Sequence, residues 1–429
     1  MNIFLTGGTG FVGGYILNAL SNAGHNVIAA VRNTESAHNR WPNITLVEAD
    51  FARDHQVEDW LEKLDGVDVV INAVGIISET KFQSFDALHA KAPSALFHAA
   101  EKANVKRIVQ ISALGVDEQS FVEYQLSKKV ADDCLRSLNI DWVILQPSFI
   151  YGVGSTSLNF FNAFSAQGVI PLIGGGGQRI QPIYIDDLVQ VVLAAIDGDA
   201  LKNKTIPVVG PHAMDIRSIY KKLHAFLGLG KTRFISIPYE LALFASHLGV
   251  GKLLGAPQFT SDAIKMLRAG NTSNVVRIAG LDNYSPISFD QGLAKIPAQS
   301  SDRWHAGLFF LKPLLRYTIG FLWIFTAIVS AFLFPAERSY ALLAKVGVSE
   351  YWAPFLLYSA ASLNFILGLA TLFAYRVSLF GLLQIAVIVI YTTFISIALT
   401  EYWYHPFGPV SKNIPIVVAI MIMMVLEKK

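Results

Sequence analysis

Tyr124 and Lys128 stand four residues apart in "YQLSK". On a helix that spacing puts both side chains on one face. A free phenol titrates near pH ~10, too high for easy proton exchange at neutrality. A neighbouring ammonium favours the phenolate and is expected to bring that value down. The pair therefore reads as acid–base machinery, with the lysine also able to donate to sugar hydroxyls. Ser112 closes the apolar run "KRIVQIS" upstream and is placed to orient a substrate carbonyl. A Y-x-x-x-K spacing alone equally describes an exposed helix face; the strand-end serine before it gives the pattern its specificity.

A second chemical feature opens the chain. "LTGGTGFVGG" carries Gly7, Gly10 and Gly13 as G-x-x-G-x-x-G directly after a short apolar run. A strand that turns tightly into a helix leaves free N–H groups facing outward, and a side chain at the contact point would hold a pyrophosphate away. Gly7, Thr9, Gly10, Phe11, Val12 and Gly13 are the expected phosphate-side contacts. The next strand ends "AAVRN", so Arg32 occupies the position where an acidic residue would bind the ribose 2′-OH of NAD. A guanidinium there suits a 2′-phosphate. NADP(H) is the expected cofactor, with NAD(H) as the alternative. Asp50 and Phe51 follow the third strand, where they can meet the adenine. Ala73, Val74 and Gly75 close the fourth, where small residues let the backbone pass the nicotinamide ribose.

These residues need a frame. Apolar runs at "NIFLT", "HNVIAAV", "ITLVEA", "VDVVINA", "KRIVQIS" and "DWVILQP" alternate with helical patterns, which predicts parallel βαβ units covered on both faces. Residues 200–300 mix short strands and helices with Pro and Gly breaks and read as a small cap. The stretch from Gly152 to Gln181 is expected to be a glycine-rich loop, a substrate lid or a plain surface loop. Asp186 and Asp187 in "YIDDL" are expected to cap a helix. His89 and His98 lie away from every motif and from any Cys/His/Asp ligand cluster, so no metal site is expected.

The composition is uneven. Of 429 residues 53% are hydrophobic and only 15% charged, against roughly 25% charged in a soluble domain. The charge disappears mainly after Leu308, so a soluble domain over 1–300 is followed by a membrane domain over 301–429. Four apolar segments are expected to span: Tyr317–Phe334, Tyr351–Tyr375, Val377–Thr400 and, with help from its flanks, Asn413–Leu426. No Asp, Glu, Lys or Arg falls inside them, which argues against an ion or proton pump. Asn364 and Gln384 are expected to hydrogen-bond between helices. Lys312, Arg316, Arg376, Lys428 and Lys429 outnumber Arg338, Lys345 and Lys412, placing the N-terminal domain in the cytoplasm and the tail in the cytoplasmic membrane. The first residues lack the positive region and cleavage site of a secretory signal. One cysteine, Cys134, excludes an internal disulfide. A net charge of +2 without basic blocks excludes nucleic acid as a partner.

The glycine turn, "NAVG", "ISALG", "YQLSK" and "LQPSFIYG" together resemble the short-chain dehydrogenase/reductase superfamily, in its extended or atypical branch. The wording over residues 1–290 is most similar to the group containing the NADPH-binding accessory subunit of mitochondrial complex I. The tail, with "HPFGPVSKNIPI", resembles the DoxX-like membrane family. The resemblance implies an α/β, Rossmann-type doubly wound sheet with a cap, followed by an all-α transmembrane four-helix domain. It implies hydride transfer with Tyr124 as proton donor, Lys128 tuning it and Ser112 assisting, and adds Pro147 and Ser148 as cofactor contacts. Gln146 stands where the family more often has arginine. Three functions follow as expectations: an NADP(H)-dependent oxidoreductase whose tether points to a lipophilic carbonyl or quinone-like substrate; a non-catalytic NADPH-binding scaffold with a membrane-complex partner; and a nucleotide-sugar epimerase or dehydratase, against which Arg32 weighs.

Overall fold

The computed structural model describes residues 1–275, 284–297 and 299–427. Seven strands form the central sheet: β1 (Asn2–Thr6), β2 (Asn26–Val31), β3 (Thr45–Glu48), β4 (Val69–Asn72), β5 (Arg107–Ile111), β6 (Asp141–Pro147) and β7 (Lys204–Val208). Their order is β7-β6-β5-β4-β1-β2-β3, and every pairing is parallel. Strand side chains alternate between faces, and the core divides accordingly. Ile3, Leu5, Val69, Ile71, Val109 and Val143 belong to one buried cluster; Phe4, Val70, Ile108 and Ile144 belong to another. Helices α1 (Phe11–Asn22) and α4 (Ile185–Asp197) cover the first face. Helices α2 (Ala92–Lys102) and α3 (Glu123–Ser137) cover the second. Burial on both sides explains why the strands read as continuous apolar runs.

The chain builds outward from β1 to β3, then returns to place β4 on the other side of β1. The carboxyl ends of β1 and β4 therefore feed loops that diverge, which opens a crevice at the switch point. All the expected cofactor and catalytic residues up to Ser148 follow carboxyl ends of strands or begin the helices after them.

Two sequence expectations change here. The stretch from Gly152 to Gln181 is not an open loop. It holds a helix, Thr156–Ser165, and a strand, Val169–Ile173, that pairs with Arg233–Ile237. Its Leu158, Ala163, Ile170 and Leu172 are buried, so it is part of the core rather than a free lid. Asp186 and Asp187 do not cap α4: they sit in its first turn, where negative charge suits the helix dipole. Asp187 instead accepts the Ile287 backbone N–H at 2.9 Å and ties down the end of the cap region.

The chain divides into two compact units, one of Met1–Lys252 with Ala256–Gly307, the other of Leu253–Gly255 with the residues from Leu308 onward. The division falls inside a long helix, α5 (Ser300–Ile328), rather than at residue 300. The second unit continues with α6 (Ala336–Lys345), α7 (Ala353–Leu372), α8 (Val377–Ala398) and α9 (Asn413–Glu427). Among the described residues, three helices are long and apolar enough to cross a membrane: Ser300–Leu333, Ala353–Leu372 and Val377–Ala398; α9 is shorter. The amphipathic α6 was not anticipated. Close packing uses small residues. A Cβ on Gly368 would lie 2.6 Å from Ile324, which brings α5 against α7, and one on Gly381 would lie 2.6 Å from Met424, which brings α8 against α9. Gln384 donates to Thr371 between α8 and α7. The side-chain oxygen of Asn364 has no such partner among the described residues. Lys312 and Arg316 both pair with Glu427, at 3.6 and 2.9 Å, while Lys345 pairs with Glu401. These pairs put Lys312 and Arg316 on one carboxylate, Glu427; Lys428 and Lys429 lie outside the described residues.

Candidate active site

The glycine turn is dictated by close approach. Gly7 has φ +76°, and a Cβ there would meet the Ala73 carbonyl at 2.6 Å. A Cβ on Gly13 would lie 2.1 Å from the Gly7 carbonyl oxygen, so the helix can start here only without one. Gly10 is the N-cap of α1, and no side chain caps the helix. Its first N–H groups are left to an external acceptor. A Cβ on Gly10 would meet only the Gly7 carbonyl oxygen, at 3.2 Å. Gly7 and Gly13 are thus glycine for the turn, whereas Gly10 leaves room outside it. The uncapped N-terminus of α1 beside Gly10 could take an anionic group such as a pyrophosphate.

Arg32 follows β2 directly and is exposed, with no ion-pair partner among the described residues. Asp50 sits after β3 in a self-contained turn: its carboxylate accepts the Ala52 N–H at 3.0 Å and lies 3.7 Å from Arg53. Phe51, expected against the adenine, is a core residue whose ring meets Trp60 edge-on at 5.3 Å. Beyond β4, Ala73 N–H donates to the Thr6 carbonyl, and Val74 N–H to the Asn72 side chain. Gly75 is exposed, and a Cβ on it would lie 3.5 Å from Lys128 Nζ and 3.7 Å from His89 Nε2. The loop where a nicotinamide ribose would pass therefore lies against α3.

Tyr124 and Lys128 lie in α3 as the spacing predicts. Lys128 is buried, and its Nζ donates to the Ile111 carbonyl at 3.2 Å. Burial brings its ammonium down to about 8, with Asp132 pulling the other way. Tyr124 is half-buried, and its hydroxyl has no hydrogen-bond partner among the described residues. Its phenol is not lowered. Burial, helped by the charge on Asp132, pushes it up to about 12. Tyr124 is thus held as a neutral acid in the free protein, able to donate but not primed to accept. Ser112 is also changed from expectation: its hydroxyl donates to Asp132 Oδ2 at 2.5 Å, so its proton is already committed within the protein.

Two groups missed in the sequence complete the cluster. His89 is buried in a π-helical turn, Asp86–Lys91, stacks on Phe85 at 5.3 Å and meets the Tyr124 ring edge-on at 5.6 Å. Its Nε2 accepts the Ile76 N–H at 3.0 Å. Its Nδ1 then carries the proton and donates to Ser127 Oγ at 3.0 Å, while Ser127 donates to the Tyr124 carbonyl. Burial and the Lys128 charge push this imidazole down to about 2, so it is neutral. Asp132 is the other group, one turn beyond Lys128. Asp132 was legible only as spacing, at i+8 from Tyr124; His89, in the wide turn before "APSALF", stands at no spacing that marks it.

The remaining candidates, Pro147 and Ser148, make hydrogen bonds within the protein. Ser148 N–H donates to the Val208 carbonyl and its hydroxyl to the Gln181 carbonyl; Pro147 accepts the Leu114 N–H. Gln146 donates to the Val116 carbonyl at 2.6 Å and pins the loop after Ser112.

Comparison with known proteins agrees with this geometry. Residues 7–163 match an NAD(P)H-binding family model, and residues 320–421 match the DoxX-like family. Mouse NADH dehydrogenase (ubiquinone) 1 alpha subcomplex subunit 9 is 31% identical over 59% of this chain and 67% of its own length. The Arabidopsis thaliana counterpart is 27% identical over 55% of this chain and 60% of its own. Ceramide reductase of Caulobacter vibrioides is 27% identical over 45% of this chain and 60% of its own. A Staphylococcus aureus nucleoside-diphosphate-sugar epimerase shares the fold, with a TM-score of 0.54 at 21% identity over 69% of this chain and all of that one. The N-terminal NAD(P)-binding Rossmann domain thus belongs to the family of the complex I alpha subcomplex subunit 9, and the chain joins it to a C-terminal DoxX-like domain.

Proposed function

We propose that the chain is a membrane-anchored, NADP(H)-dependent oxidoreductase acting on a lipophilic carbonyl or quinone-like substrate. One observation carries the reading. Tyr124 presents a neutral hydroxyl with no protein partner, beside a buried Lys128 that packs against the Gly75 loop, at the carboxyl ends of the sheet. NADPH, when bound, supplies a hydride. Gly7, Gly10 and Gly13 would make room for its phosphates, Arg32 would hold the 2′-phosphate, and Lys128 would hold the ribose. Tyr124 gives its proton to the substrate oxygen, and the Lys128 charge stabilises the phenolate left behind. The ceramide reductase relative supports a reductive reaction on a long-chain substrate.

The Ser112–Asp132 bond favours a second reading, a non-catalytic NADPH-binding scaffold of a membrane complex, which the complex I relatives support. Fluorescence titration of the detergent-purified protein with NADPH and NADH tests the cofactor, and a carbonyl and quinone screen with Tyr124→Phe as control tests catalysis. NADPH-preferring binding with turnover abolished by Tyr124→Phe is expected. Binding without turnover, and with Tyr124→Phe unchanged in cells, selects the scaffold.

A further inference from the structure

The buried face of α3 has a third member. Tyr124, Lys128 and Asp132 stand at i, i+4 and i+8, and Asp132 is completely buried. A carboxylate so placed costs several kcal/mol unless charge and hydrogen bonds compensate it. The groups facing it are Lys128 and Arg136 from its own helix and Ser112 and Gln110 from β5. Its Oδ2 accepts the Ser112 hydroxyl; its Oδ1 is without a formed hydrogen bond. Gln110 ends a directional row. Thr6 donates to Asn72 Oδ1 at 2.6 Å, and Asn72 donates to Gln110 Oε1 at 2.8 Å. The three residues share one register across β1, β4 and β5. That row fixes the Gln110 amide so that its donor side is the one left for Asp132. Lys128 has one neutral acceptor, the Ile111 carbonyl, and no ion pair within 4.0 Å among the described residues; Asp132, one helix turn on, is the buried acid whose charge acts on it without direct contact.

We propose that Asp132 is the buried counter-ion that keeps Lys128 charged and that, by taking the Ser112 proton, leaves Ser112 facing the crevice as an acceptor only. It is a positioning residue for the Tyr124–Lys128 pair. An unbalanced buried ammonium would lose its proton near neutrality. A serine whose single hydrogen is committed cannot donate to a substrate oxygen, so that donation falls to Tyr124 alone. The catalytic consequence rests on the oxidoreductase reading; the charge pairing is a property of the free protein and is tested there.

The experiment is an NMR titration of the full-length protein in detergent with lysine labelled at 13Cε. The Lys128 signal is identified by its loss in Lys128→Met. In the wild type it titrates near pH 8. Asp132→Asn is expected to lower that midpoint by a full pH unit or more, Asp132→Glu to keep it within half a unit of the wild type, and Ser112→Ala to leave it nearly unmoved. An unchanged midpoint in a cooperatively folded Asp132→Asn protein overturns the proposal. Should that variant not fold, the wild type decides. Protonation of Asp132 near pH 6 must give the Lys128 signal a second, smaller inflection, and a single inflection overturns the pairing. Failure of NADPH to bind would defeat the oxidoreductase reading while leaving this titration as it stands.

Discussion

Arg32 concentrates cofactor choice in one side chain. It is exposed at the end of β2 and spends its charge on no described neighbour. A guanidinium–phosphate contact is worth about 1.5–3 kcal/mol. Arg32→Ala should therefore weaken NADPH binding at least tenfold and leave NADH unchanged in a fluorescence titration; equal weakening of both would assign Arg32 to the fold instead. His89 makes a second prediction. Folded, its imidazole titrates at about 2 against an ordinary 6.5, so below pH 6.5 the unfolded chain takes up a proton that the folded chain refuses. Stability then falls on acidification by about 1.4 kcal/mol per pH unit from this group. Asp132 acts oppositely. Raised to about 6 from 3.8, it binds a proton in the folded state first, and stability recovers between those values as pH falls. In His89→Phe only the Asp132 effect of this pair survives. The stability of His89→Phe relative to wild type should rise by about 1.4 kcal/mol per pH unit between 6 and 4. Parallel unfolding curves for the two proteins would show that the imidazole is not held neutral.

At the scale of elements, the turn from β1 into α1 separates two kinds of glycine that the sequence presents as equivalent. Gly13→Ala pushes a Cβ to 2.1 Å from the Gly7 carbonyl oxygen, a backbone atom that cannot step aside. It should cost about 1–3 kcal/mol or more, as overpacking does, and lower Tm along with nucleotide binding. Gly10 has extended backbone, φ −81° and ψ 175°, which any residue adopts. Gly10→Leu should fold with nearly wild-type Tm and yet lose NADPH binding, because its side chain fills the phosphate position. A Gly10→Leu protein that binds NADPH normally would remove the glycine cradle from the cofactor site. The same contrast marks what was legible in advance. Alternating apolar runs and helical patterns announced the parallel sheet, and the i,i+4 spacing announced the Tyr124–Lys128 face, because both follow from backbone periodicity. His89 was passed over because a π turn shifts the register of the helix it precedes, so its approach to Tyr124 has no fixed sequence spacing. Phe51 was assigned to the adenine because a strand-end aromatic reads alike whether it packs inward on Trp60 or outward on a base. Ser112 was assigned to the substrate because its partner, Asp132, lies 20 residues on and becomes a neighbour only when α3 docks on β5.

At the scale of the molecule, a nucleotide-binding unit and a membrane-helical unit occur in one chain, and the reason for joining them is the open question the proposal answers. The outward side chains of the second unit, among them Phe321, Phe325, Phe355, Ile366, Leu382 and Ile397, are large, apolar and exposed, as lipid-facing surfaces are. Inside it, polar groups are few, and Gln384 with Thr371 supplies a contact worth about 0.6 kcal/mol, too little to suggest more than helix packing. The apolar stretches 317–333, Ala353–Leu372 and Val377–Ala398 carry no Asp, Glu, Lys or Arg; on the proposed reading the unit serves to hold the nucleotide-binding unit at the bilayer. Tethering raises the effective concentration of a partner that shares the tether's compartment and does nothing for one that does not. A lipophilic substrate confined to the bilayer is then met by diffusion in two dimensions. With the protein reconstituted in vesicles and NADPH outside, the rate on a long-chain carbonyl or quinone should follow its mole fraction in the protein's own membrane. It should stay constant when total lipid and substrate are diluted together. Substrate supplied in separate, protein-free vesicles should react only as fast as it transfers between them. If instead short, water-soluble analogues are reduced equally well and the rate tracks their bulk concentration, the membrane unit serves assembly rather than substrate delivery, and the lipophilic assignment falls while the reductase remains.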